Sequence, residues 1–128
     1  MYSNNALNAY KNNSVNYASK EQLLLMLVDG AVRFSKVAKE ALEKKDTKKS
    51  HESLVRVQDI FTELMVTLDQ NAGEWAKQMY LVYDFIKTRL FEINLKKDID
   101  MMDELMPVIE DVRNTWHEAY EISKKMKN

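Results

Sequence analysis

Residues 19–44 read SKEQLLLMLVDGAVRFSKVAKEALEK, and the spacing of apolar side chains in this run decides the fold. At 100° per residue, Leu23, Leu27, Ala31, Phe34, Ala38 and Ala41 fall on one stripe about 80° wide, as in a helix packed along one side. Ser19 followed three residues later by Gln22 is a capping-box pattern. Lys44 and Lys45 suit the negative end of the helix dipole. The spacing therefore predicts a helix from Ser19 to about Lys44, roughly 39 Å long at 1.5 Å per residue.

The same period recurs downstream. Asp46 or Thr47 can cap a second helix over about 48–69, where Leu54, Val57, Phe61, Leu64 and Leu68 alternate steps of three and four. Asn71-Ala72-Gly73 is the strong break, and beyond it Trp75, Met79, Val82, Ile86, Leu90 and Ile93 form a third stripe. Asp98 or Asp100 can cap the last helix, with Met102, Leu105, Ile109, Val112, Trp116 and Ala119 on one face. Pro107 lies inside that pattern. It removes one backbone bond and presses on the carbonyl of Asp103, so a kink, or a helix that effectively starts nearby, is expected. Four stripes with short connections predict an all-α, antiparallel up-down-up-down four-helix bundle over 19–128. Residues 1–18 carry Asn4, Asn5, Asn8, Asn12, Asn13 and Asn16. Asparagine competes with helix through side-chain-to-backbone bonds, so this stretch reads as a separate N-terminal arm, mobile or with one short helical turn.

Composition narrows the function classes. A chain of 128 residues suits one domain. Nineteen basic against twenty acidic residues leave a formal charge of −1, which offers no electrostatic footprint for nucleic acid or an anionic membrane. Two glycines and one proline are too few for a sandwich, a barrel or a Gly-rich phosphate loop. The lack of cysteine excludes disulfides, a thiol nucleophile and Cys-ligated zinc, and suits a reducing compartment. The longest apolar run, Leu23 to Val28, is far below the ~20 residues of a membrane span. The opening MYSNNALNAY has neither a basic nor an apolar signal region. The expectation is a soluble, cytoplasmic, helical protein without membrane insertion.

Catalytic chemistry has no visible seat. A carboxylate-bridged dimetal bundle needs a Glu-x-x-His pair on each of two helices, yet Lys48 precedes His51 and Asn114 precedes His117 at that spacing. Asp98, Asp100, Asp103 and Glu104 lack the glycine and the distal glutamate of a calcium loop, and are read as acids at a helix start. No Gly-x-Ser-x-Gly, P-loop or HExxH is present. No catalytic, cofactor-binding or metal-ligating residue is expected, and the protein is not read as an enzyme.

What the sequence has in surplus is apolar surface. On the first helix Leu25, Val28 and Val32 lie about 100–160° from Leu27, off the core stripe. Val55, Thr62 and Val66 on the second helix, and Tyr80 and Phe91 on the third, have similar offsets, with Leu81 and Phe85 on the other flank. Second stripes on neighbouring helices would form an apolar groove for an amphipathic partner helix. These eight residues, from Leu25 to Phe91, are the candidate binding groove, and Val32→Asp is expected to abolish binding while leaving melting nearly unchanged. The alternative is a homodimer that buries the same surface. Met79, Met102 and Met106 are read as core gap-fillers.

The stretch Tyr10…Ala18-Ser19-Lys20-Glu21-Gln22-Leu23-Leu24-Leu25-Met26-Leu27-Val28-Asp29-Gly30-Ala31 resembles the opening of the flagellar export chaperone family FliS. So do Ile60…Glu63-Leu64…Leu68-Asp69, Tyr83-Asp84-Phe85, Leu90, Asn94 and Arg113-Asn114-Thr115-Trp116, in the same order. The resemblance implies a cytosolic chaperone that binds the disordered C-terminal segment of flagellin, blocks premature polymerisation and keeps the subunit ready for delivery to the export gate. It implies, too, an N-terminal arm that covers a groove until the client arrives, with Tyr10 as the plug. Where the family usually reads Leu-Tyr-Asp-Gly, this chain has Leu27-Val28-Asp29-Gly30, so position 28 can contribute apolar contact only. Gly30 costs its helix about 1 kcal/mol against alanine, which close approach of another backbone would explain, the alternative being a tolerated defect.

Overall fold

Each periodic stretch is one helix in the computed structural model, which describes residues 19–126. Helix α1 spans Lys20–Glu43, α2 Thr47–Thr67, α3 Glu74–Lys96 and α4 Ile99–Met126, with a 3-10 turn at Gln70–Ala72. No strand occurs among the described residues. The N-terminal arm of residues 1–18, with Tyr10, lies outside them.

Local chemistry sets the helix ends. Ser19 Oγ accepts from the Gln22 amide at 3.2 Å while Gln22 Oε1 accepts from the Ser19 amide at 2.9 Å, so two otherwise unpaired donors are satisfied reciprocally. Of the candidate caps for α2, Asp46 takes the role, its Oδ1 accepting from the Lys49 amide at 3.1 Å. Asp98 does the same for α4, accepting from the Met101 amide at 3.0 Å. Gly73, at φ 140°, occupies a conformation that side chains disfavour and lets the chain turn into α3. Helix α2 stops two residues short of the expected end, because Leu68 adopts an extended backbone that begins the turn.

Helix α4 starts well before Pro107 and runs on through it. Pro107 and Asp103 are both exposed, so water can take the carbonyl that the proline leaves without its helical partner.

Helix α1 packs against both α2 and α4, α2 packs against α3, and α3 closes the ring on α4 less extensively. The enclosed centre holds Leu54, Phe61, Leu64, Tyr83, Ile86, Leu90, Met102 and Ile109. The ends of two stripes emerge from it: Trp75 is half exposed and Ala119 is exposed.

Two of the groove residues expected from sequence belong to this core. Val28 is 1% exposed and Val32 4%, and both sit in the central cluster. The reason is geometric. A helix wedged between two neighbours buries a broad arc, and a stripe about 80° wide fills only one of its two seams. Lys39, seven residues after Val32 and therefore on the same line of the helix, binds Asp103 of α4 at 3.0 Å, which identifies that line as the α1–α4 seam. Val32→Asp would accordingly break the fold rather than spare it.

Among the described residues no second backbone approaches Gly30, and the space around it does not require a glycine. A methyl group there would stand 3.5 Å from Ile60 Cδ1 on α2, an ordinary contact.

Candidate functional site

The remaining groove residues divide by seam. His51 Nδ1 on α2 and Asn94 Nδ2 on α3 lie 3.0 Å apart, so these two side chains mark which flank of each helix meets the other. Val55, Thr62 and Val66 follow His51 by four, eleven and fifteen residues and share its flank of α2. Phe91 and Tyr80 precede Asn94 by three and fourteen residues and share its flank of α3. By helical position, five of the expected residues thus flank the outer side of the α2–α3 seam, as the two banks of a furrow would. Val66 is 74% exposed and Phe91 56%, whereas Val55, Thr62 and Tyr80 are half-buried. Thr62 Oγ1 donates to the Gln58 carbonyl at 3.0 Å, so its polar atom is spent within its own helix and its methyl group is what it has to offer a partner.

Leu25 stands apart. It lies seven residues before Val32 on the line that meets α4, where Asp29 Oδ1 and His117 Nε2 approach to 2.8 Å. It is half-buried, and it does not join the α2–α3 furrow.

Beyond the furrow, Leu81 and Phe85 extend apolar exposure around the outer side of α3. Arg89 lies over the Phe85 ring at 5.2 Å from its centre.

Sequence reading missed a second concavity. Where the start of α1, the end of α2 and the start of α3 meet the middle of α4, a cleft of about 590 Å³ opens between Leu23, Leu27, Leu68, Trp75, Tyr83 and Trp116. Trp75 and Trp116 meet edge to face with ring centres 5.9 Å apart. Trp116 Nε1 donates to the Tyr83 hydroxyl at 2.8 Å. Burial of Tyr83 disfavours its phenolate and pushes its pKa up to about 12, with the Trp116 N–H acting in the opposite sense. The signal was present in the sequence as three aromatic residues on two amphipathic helices, but helical spacing alone assigns such residues to core.

Polar chemistry in these concavities is sparse. No group of three His, Cys, Asp or Glu side chains that could hold a metal ion is found among the described residues. His117 engages Asp29, and His51 engages Asn94. No helix among the described residues is long and apolar enough to cross a membrane. Among the described residues the cleft is lined largely by apolar and aromatic side chains, and the α2–α3 side exposes Val66 and Phe91.

Known proteins resemble this chain in sequence and in shape. The family described as "Flagellar protein FliS" matches residues 3–123. A protein of Bacillus subtilis (strain 168) named "Flagellar secretion chaperone FliS" is 36% identical over 121 residues, covering 94% of this chain and 90% of that one. The protein of the same name from Campylobacter jejuni is 31% identical, with 94% of each chain covered. A solved structure described as "Crystal structure of flagellar chaperone from bacteria" matches with a TM-score of 0.73 over 91% of this chain and 96% of that one. Its 17% identity makes that a likeness of fold alone.

Proposed function

This chain belongs to the FliS family of flagellar secretion chaperones, and on that footing we propose that it binds the C-terminal segment of flagellin along the α2–α3 furrow. The observation that carries the proposal is the pair of apolar banks there, with Val66 74% and Phe91 56% exposed on helices whose core faces are already satisfied. An amphipathic client helix would insert its apolar ridge between the banks, replacing the contacts that it makes in an assembled filament. Holding that segment prevents premature polymerisation and keeps the subunit competent for export. Ordering a disordered client offsets part of the gain, so the complex stays reversible without a nucleotide.

The same reading places the protein in the cytoplasm, gives it no enzymatic activity, assigns the arm of residues 1–18 with Tyr10 as a cover over the client-free groove, and extends to contact with the flagellar export gate. The competing occupant is a second copy of the chain, as a homodimer through the same strip.

Calorimetric titration of the full chain with the flagellin C-terminal segment tests the proposal. Val66→Asp and Phe91→Asp should each weaken binding by about tenfold or more, since a charge would be buried against apolar surface. Melting should shift little, because both side chains face solvent. Unchanged affinity in both variants overturns the assignment of the furrow. A dimer at all concentrations in sedimentation equilibrium, with no affinity for the segment, supports the homodimer instead.

A further inference from the structure

On the other side of α2 lies a feature that client binding leaves unused. Arg33 of α1 and Arg56 of α2 both lean over the ring of Phe34, their guanidinium carbons 5.2 and 5.1 Å from its centre. Both arginines are exposed, and neither forms an ion pair among the described residues. Arg56 has Glu52 and Asp59 within one turn on its own helix and bonds to neither. Asp29, one turn before Arg33, is committed to His117.

Two like charges gathered on one ring repel each other. The negative face of the ring offsets part of that repulsion and holds both groups in place. A guanidinium held by its face keeps its edge N–H groups free for carboxylate oxygens, in a planar fork that matches two of them. Two guanidinium groups brought to one ring from two helices can together serve as an anion clamp. Its place is settled by Ile60, one turn beyond Arg56, whose Cδ1 lies 3.5 Å from where a Gly30 methyl would be. The clamp sits over the α1–α2 seam, and the furrow over the α2–α3 seam.

We propose that Arg33 and Arg56, stacked on Phe34, form a docking site for a carboxylate-rich segment of a partner protein. The site lies on a different face from the client furrow, so such a partner can meet the chaperone while the furrow is filled. The two guanidinium groups favour a carboxylate-bearing occupant that bonds them directly while staying clear of Glu52 and Asp59 beside Arg56.

A fluorescent oligo-glutamate peptide of about ten residues, titrated into the full chain at low ionic strength, tests the site. The parent should bind it, and the R33Q/R56Q pair should bind roughly tenfold more weakly. R33K/R56K keeps the charge but loses the fork and the stacking, and should bind at least about threefold more weakly. Lys124→Gln with Lys125→Gln, at the far end of α4, should change binding by less than about twofold. Melting curves of the arginine variants should overlay that of the parent, and their affinity for the flagellin segment should be unchanged. The proposal is overturned if the parent does not bind, if R33Q/R56Q binds as the parent does, if the lysine pair matches the parent, or if the Lys124 and Lys125 changes weaken binding as much. Loss of flagellin binding in R33Q/R56Q would overturn the separation of the two faces.

Discussion

Trp116 Nε1 donates a 2.8 Å hydrogen bond to the hydroxyl of Tyr83, tying α4 to α3 across the least extensive contact between neighbouring helices in the bundle. Tyr83 is 1% exposed and packs on Phe61 with ring centres 5.9 Å apart. Trp116→Phe strands that hydroxyl and should lower unfolding free energy by about 1–3 kcal/mol in urea titrations. Adding Tyr83→Phe should recover part of the loss, because the orphaned polar atom is then gone.

The same tyrosine makes alkaline stability diagnostic. Its folded pKa of about 12 lies above the ~10 of an exposed phenol, so between those values the unfolded chain holds fewer protons than the native one. Stability derived from keeping Tyr83 protonated is complete below about pH 10 and fades as pH climbs toward 12. Urea midpoints measured from pH 9 upward should fall more steeply for the parent than for Tyr83→Phe. Parallel curves would disprove the link.

Gly30 is a helical glycine facing Ile60 with room for one methyl group. Gly30→Ala should therefore raise stability by about 1 kcal/mol through helix propensity alone. A lower melting temperature would mean that the contact with Ile60 is tighter than its 3.5 Å implies.

Ser35 is fully buried, and its hydroxyl has no hydrogen-bond partner among the described residues. Ser35→Ala removes an unsatisfied polar atom and favours helix, so a gain of about 1 kcal/mol is expected in equilibrium denaturation.

Val32 and Val66 make a contrasting pair for the two kinds of apolar position. Val32→Asp should cost about 3 kcal/mol or more and yield a poorly folded chain, whereas Val66→Asp should melt like the parent yet fail to hold the flagellin segment. Circular dichroism melts together with calorimetry distinguish them.

Helix number, order and most boundaries were legible because each helix carries its own period and cap. Ser19 with Gln22, Asp46 and Asp98 announce their helices through local side-chain chemistry, which needs no knowledge of the rest of the chain. Which seam a flanking residue faces was not legible. Val32 and Val55 have comparable offsets from their core stripes, yet Val32 is buried in the seam with α4 while Val55 is only half-buried at the seam with α3. Only the arrangement of helices in space separates them. The cleft around Tyr83 and Trp116 was hidden for the same reason, since four helices contribute to it and each part alone looks like interior. Arg33, Phe34 and Arg56 could not be paired from sequence, because their meeting depends on the register of α1 against α2.

The His51–Asn94 contact marks one end of the α2–α3 side, and Val66 stands near the other. Val55 to Val66 spans eleven steps of 1.5 Å, or about 17 Å, which accommodates some three helical turns. A peptide that short has almost no helicity by itself in water. On the proposed function, a client segment seated there would be helical only while held, so its detachment and its unwinding would be a single event needing no separate unfolding engine.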